Sequence, residues 1–278
     1  MLQLLSAAGI RPGQVSRATA GGRIFRATIL LLLLLALVNC SAFAQGGPPF
    51  YTNDPGTPGN LNLEVNVSYM PFLYTDQSVS HLPDLDINLG LGKRVQLTYE
   101  NAWLRVQAPD AAAKFGLGQS NLGIKWRFYE GGDRGISLSF FPQVLLNNPN
   151  NSTERGITAE GNSFLLPMQF TKDFGAVSVD CEGGYQLVQK APNGWLAGVV
   201  VGRKISDKLE IAAEVYSQGA FHSVEAQPTV DAGARYKVGK LWLLMMAGRS
   251  LQASSSTQSS FVGYFGVQMQ MHKKPWKW

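Results

Sequence analysis

The feature that most constrains this chain is a period-two alternation of apolar and polar residues. It recurs, in runs of about ten residues, from Leu61 to Met271. Leu61, Leu63, Val65, Val67 and Tyr69 alternate with Asn62, Glu64, Asn66 and Ser68. Leu85, Ile87, Leu89 and Leu91 alternate with Asp84, Asp86, Asn88 and Gly90, and Leu122, Ile124, Trp126 and Phe128 with Gly123, Lys125, Arg127 and Tyr129. The same pattern sets Val177, Val179 and Cys181 against Ser178, Asp180 and Glu182. Further on it sets Val230, Ala232, Ala234 and Tyr236 against Asp231, Gly233, Arg235 and Lys237. A strand with this pattern has one face in an apolar medium and the other in a polar one.

A soluble β-sandwich also alternates, but its strands usually run about 5–6 residues, and these are longer. The connections separate the two architectures. Short turns fall at 92–94, 131–133, 173–175, 206–208 and 239–240. Longer polar loops fall between them, at 74–81, 107–117, 147–160, 189–194, 219–226 and 252–257. Alternating short turns and long loops, with an even strand count, are the mark of a bacterial outer-membrane barrel. In hydrocarbon every backbone N–H and C=O needs a partner, and a closed sheet supplies one for each. The expected fold is therefore all-β: an antiparallel transmembrane up-and-down barrel of about 12 strands in a Gram-negative outer membrane. Tyr69, Tyr99, Trp103, Trp126, Phe128, Phe140, Tyr236 and Trp242 are candidates for its interfacial aromatic girdles. The run 147–152, Asn-Asn-Pro-Asn-Asn-Ser, reads as its most exposed loop.

Composition agrees with this fold. Mean hydropathy is −0.03, far below that of a helical membrane protein. Charged residues make up only 15%, where a soluble domain carries about 25%. The net charge of +5 comes largely from the N-terminus. Residues 1–44 hold Arg11, Arg17, Arg23 and Arg26 and no acid, and without these four the 24 basic residues become 20 against 19 acidic. No nucleic-acid partner follows from a charge of that origin.

Residues 1–44 read as a secretory signal peptide, with a basic start, a short Leu-rich run from Ile29 to Val38 and the cleavage pattern Ala42-Phe43-Ala44. The run is about half of the roughly 20 residues a helical span requires. Residues 45–60 form an irregular Gly/Pro-rich lead-in, 61–271 the barrel and 272–278 a tail. Cys40 leaves with the leader, so Cys181 stands alone in the mature chain, on the lipid-facing side of the alternation.

The polar faces hold acids and bases together. Glu64, Asp84, Asp86, Glu100, Lys125, Arg127, Asp180, Glu182, Arg203, Glu214, Asp231, Arg235 and Lys237 are the candidate lumen-lining residues. They are expected either to neutralise one another in a filled lumen or to line a solute path. No cofactor, metal or catalytic motif is visible. Of the three histidines, His81 and His222 fall in expected outer loops and His272 in the tail.

The lead-in carries a further signal. Pro48-Pro49-Phe50-Tyr51-Thr52-Asn53-Asp54-Pro55, placed directly before a strand, resembles the start of a family of outer-membrane transporters named for the MetA pathway of phenol degradation. Members of that family begin with P-P-F-x-T-D-D-P. Pro48, Pro49, Phe50, Thr52, Asp54 and Pro55 match, and Asn53 stands where the first acid is usual. The resemblance implies passage of small solutes, hydrophobic or aromatic ones included, across the outer membrane. Three functions are then in view: a passive channel or transporter, a structural or surface-interaction barrel with a plugged lumen, and an outer-membrane lipid hydrolase, in that order. The partners expected are outer-membrane lipid, a small solute, and the barrel-assembly machinery during biogenesis.

Overall fold

The computed structural model describes residues 46–132, 135–221, 226–251 and 259–272. The leader, His222, the loop at 252–257 and residues 273–278 of the tail lie outside them. The described residues form strands and contain no α-helix. In chain order the strands are β1 (Leu63–Leu73), β2 (Ser78–Leu91), β3 (Val95–Gln107), β4 (Lys114–Leu117), β5 (Ser120–Glu130), β6 (Ile136–Phe140), β7 (Gln143–Leu146), β8 (Ser163–Asp173), β9 (Val177–Val188), β10 (Gly194–Ser206), β11 (Leu209–Ala220), β12 (Thr229–Val238), β13 (Leu241–Ser250) and β14 (Phe261–Met271).

All pairings are antiparallel. β14 pairs with β1 from Leu63↔Met271 to Leu73↔Phe261, which joins the last strand to the first. Two staves of the barrel are broken. β4 and β5 lie end to end along β3, and β6 and β7 bridge β5 and β8 on either side of Phe141 and Pro142. Pro142 has no N–H for the ladder, but its carbonyl still accepts from Ile124 at 3.0 Å. Counted as staves, the segments make the closed twelve-stranded barrel expected from the alternation. At the short-turn end, Gly175 and Gly239 hold φ values of 79° and 61°, which a tight reversal requires and a side chain resists.

The faces are inverted relative to a soluble protein. Ile124, Trp126, Val199, Met245 and Phe265 point outward and are exposed, whereas Asn66, Ser139, Gln169, Asp180 and Glu214 point inward and are buried. Such an arrangement is stable where the outer medium is hydrocarbon. Tyr69, Tyr99, Trp103, Trp126 and Tyr236 lie on the outer face as the girdle reading requires. Phe140 is the ladder partner of Trp126, and the Phe128 ring sits 5.6 Å from that of Trp126. Trp242 is a correction. It pairs with Lys237, and it packs against the inner core and faces the lumen.

Three further expectations change. His81 lies within β2, fully buried, because the strand begins at Ser78 rather than after the histidine. Residues 114–117 are a strand piece paired with β3. The loop at 147–160 is exposed at Asn150 and Asn151 but then turns inward, burying Ser152 and Ile157. Gly116 permits this fold, since a Cβ there would stand 2.8 Å from Ile157 Cδ1 and 2.6 Å from Ser152 Oγ. Ile157 thereby joins Met70, Phe72, Leu104, Leu165 and Val262 in an apolar core that fills the long-loop half of the lumen.

Candidate functional site

The candidate site is the middle of the lumen and the cavity below it, toward the short-turn end. The lead-in occupies the middle. It enters beside β2, where Leu61 donates to the Gly90 carbonyl at 2.8 Å, and runs up the inside of the barrel. Phe50, Tyr51 and Thr52 are buried there. The Tyr51 ring stacks on that of Tyr216 with centroids 5.1 Å apart.

Charged wall residues hold the lead-in by its backbone. Glu214 accepts from the Tyr51 amide at 2.9 Å and the Thr52 amide at 2.6 Å. Glu182 accepts from the Asn53 amide at 2.9 Å and from Gln169 Nε2 at 2.9 Å. Arg235 donates through Nε to the Pro48 carbonyl at 2.9 Å, and through Nη2 to those of Gly46 at 2.6 Å and Gly47 at 3.0 Å. Lys125 Nζ donates to the Asp54 carbonyl at 2.7 Å and sits 4.9 Å from the Phe141 ring centroid. Charge-assisted bonds of this kind are about twice as strong as neutral ones. A non-Pro residue offers the wall a backbone donor and acceptor whatever its side chain, so the lead-in is gripped largely independently of its sequence.

The candidate lumen residues therefore sort into groups. Glu64, Asp84, Asp86, Glu100, Lys125 and Arg235 face a cavity of about 410 Å³ between the lead-in and the short-turn end. Asp180, Glu182, Glu214 and Asp231 are buried on the inner wall around the lead-in. Arg127 lies at the short-turn rim, donating to the Lys93 carbonyl at 2.7 Å and pairing with Glu130 at 3.4 Å. Lys237 is exposed at the same rim, 5.4 Å from the Trp242 ring centroid. Arg203 is a correction. Its ladder partners are Val177 and Ile211, so it shares the outward-facing side of β10 with Val199. The expected pairing of acids with bases is seen at Arg235 and Glu210, ladder partners 3.9 Å apart, and at Arg127 with Glu130. Glu182, Glu214, Lys125 and Arg235 also bond the lead-in's amides and carbonyls.

Three wall glycines signal this arrangement: a Cβ on Gly90 would stand 1.9 Å from the Gly59 carbonyl oxygen. A Cβ on Gly198 would stand 1.9 Å from Thr52 Oγ1, and one on Gly233 would stand 3.1 Å from Phe50 Cζ. Glycine within a strand often marks close approach of another segment. Tyr216, which stacks on the lead-in, gave no comparable signal.

Fold and site together define a closed barrel of the transmembrane type, with an N-terminal segment lodged in its lumen. No protein-family model and no curated protein sequence matches the chain. Among solved structures it is similar to an outer membrane channel from Pseudomonas putida F1, at TM-score 0.62 and 14% identity, over 82% of this chain and 100% of that one. It is also similar to the NanC porin, at TM-score 0.54 and 8% identity, over 75% of this chain and 100% of that one. The KdgM porin, solved in complex with disordered oligogalacturonate, aligns at TM-score 0.52 and 12% identity over 74% of this chain and 99% of its own. At these identities the likeness is one of fold.

Proposed function

We propose that the chain is a passive channel for small solutes in the outer membrane of a Gram-negative bacterium, held shut by its own lead-in. The observation that carries this reading is the way the lumen is blocked. The barrel's ladders close without residues 46–60, and those residues sit in the pathway on hydrogen bonds that can be exchanged for water. The lead-in motif supports the same reading, since the residues that resemble the MetA-pathway transporters are the stretch lodged in the lumen. The fold likeness to a channel and two porins agrees with it.

The cavity lining is polar and rich in carboxylates, which favours small polar solutes over apolar ones and would repel a polyanion such as the oligogalacturonate of KdgM. The apolar core and the inward-folded loop at the other end suit the second reading, a permanently plugged surface-interaction barrel. Permeability separates the two. Gly198→Val should expel Thr52 from its place against β10 while sparing the barrel closure. Liposomes carrying this variant should swell in arabinose faster than those carrying the unaltered chain. If neither protein permits swelling, the plugged-barrel reading replaces the channel.

A further inference from the structure

The cavity on the short-turn side of the lead-in contains a patch of wall whose acceptors outnumber its donors. β1 and β2 pair Asn66 with Asp86, Ser68 with Asp84 and Glu64 with Asn88, all on the inward face. Asn66 Nδ2 donates to Asp86 Oδ2 at 3.0 Å and to Glu64 Oε1 at 3.4 Å, and Asn88 Nδ2 donates to Asp86 at 3.0 Å. Gln270 Nε2 reaches Glu64 Oε2 at 3.1 Å. These donors are neutral amides. No Lys or Arg stands within ion-pair distance of Glu64, Asp84 or Asp86 among the described residues. The two cations that line the cavity, Lys125 and Arg235, are engaged with the lead-in's carbonyls.

Two acceptors in this patch have no partner at all. Asp84 is 6% exposed, and its Oδ1 is buried without a hydrogen bond. Its Oδ2 lies 3.8 Å from His81 Nδ1, too far for a hydrogen bond. Asn66 is 1% exposed, and its Oδ1 is likewise unpartnered. A buried acceptor without a donor is costly, and a buried carboxylate without a counter-charge more so. The carboxylates do not gather into a metal-ion cage among the described residues, so a larger donor fits the patch better than a bare ion. Trp242 and Tyr264 line the same cavity and give it an apolar side.

We infer that this patch is a binding site for a small organic cation bearing ammonium or guanidinium N–H groups. Its charge is met by Asp84, Asp86 and Glu64, which line the cavity together with Asn66. The inference names the solute class of the proposed channel and so rests on that reading, but binding is measured separately from passage.

The test is calorimetric titration of the full mature chain in detergent, with agmatine as the cation, butanediol as an uncharged chain and succinate as an anion. Agmatine should bind saturably, and the other two should give no binding heat. Asp84→Asn and Asp86→Asn should each weaken agmatine by at least about tenfold, the effect of losing one charge-assisted hydrogen bond. Asp207→Asn, in an exposed turn, should leave the affinity unchanged. A heat-shift gel on each variant shows that the barrel is folded. Folded wild-type protein that gives no saturable agmatine heat overturns the inference. So does butanediol binding as tightly as agmatine, or an unaltered affinity in both carboxylate variants. Agmatine binding by a protein that permits no solute passage would leave the site standing and remove the channel.

Discussion

Deletion of residues 46–58 should raise single-channel conductance in planar bilayers several-fold over that of the full mature chain. The segment contributes Phe50, Tyr51 and Thr52 to the packed interior, and the backbone groups that occupy Glu214, Glu182, Arg235 and Lys125. Without it those four side chains face water and line the path. The wall itself should survive. The β1–β14 ladder begins at Leu63, beyond the deleted stretch, and every other strand keeps its neighbours. Heat-modifiable migration should therefore be retained while conductance rises. Equal conductance with and without the segment would mean that the apolar core of the long-loop half, rather than the lead-in, closes the lumen.

Glu214→Ala should reproduce much of that effect with one side chain. Its two carboxylate oxygens take two consecutive amides, and removing them leaves both N–H groups buried without partners. Each orphaned donor costs about 1–3 kcal/mol, so the lodged state should lose about 2–6 kcal/mol. The lower end is expected, because Glu214 is in register with Asp231, and its removal relieves a contact between two buried acids. Even 2 kcal/mol moves the ratio of lodged to released lead-in by more than about tenfold. Channel open probability, or protease cleavage within 46–58 in reconstituted protein, would register the change. Glu214→Gln keeps an acceptor oxygen of the same reach and should lie between the two. Equal behaviour of the alanine and glutamine variants would show that Glu214 does not hold the lead-in through its hydrogen bonds.

Much of the fold was legible because lipid-facing and lumen-facing positions differ in polarity at every second residue. That signal located the strands from Leu63 to Met271 and the short turns between them. It failed where polarity does not report direction. Trp242 is apolar yet points inward, because its neighbour Lys237 lies across the ladder on the inner face and covers its ring. Arg203 is charged yet points outward, near the end of β10, where a long side chain can reach the membrane interface. His81 sat in a Ser/His/Pro stretch that reads as a loop, but β2 absorbs it with a register shift against β3 between His81 and Asp84. The site was less legible for a different reason. The inward acids and bases were visible one by one, and their expected partners were each other. Glu182, Glu214, Lys125 and Arg235 are instead partnered by the backbone amides and carbonyls of the lead-in, which leave no mark in the sequence of the wall. Gly90 and Gly198 were the clearest trace available, strand positions kept bare for the Gly59 carbonyl and for Thr52, with Gly233 beside Phe50.

The most direct test of a lodged, releasable lead-in is a reversible tether between Thr52 and Gly198. A Cβ on Gly198 would lie 3.2 Å from Thr52 Cβ, a few tenths of an ångström inside the usual disulfide range of about 3.5–4.5 Å. With Cys181 replaced by alanine, Thr52→Cys together with Gly198→Cys should form a disulfide on mild oxidation. The oxidised protein should show almost no channel openings in a planar bilayer, and a reductant added to the same bilayer should bring them on. Failure of the two cysteines to join, or openings equally frequent before and after reduction, would contradict the account.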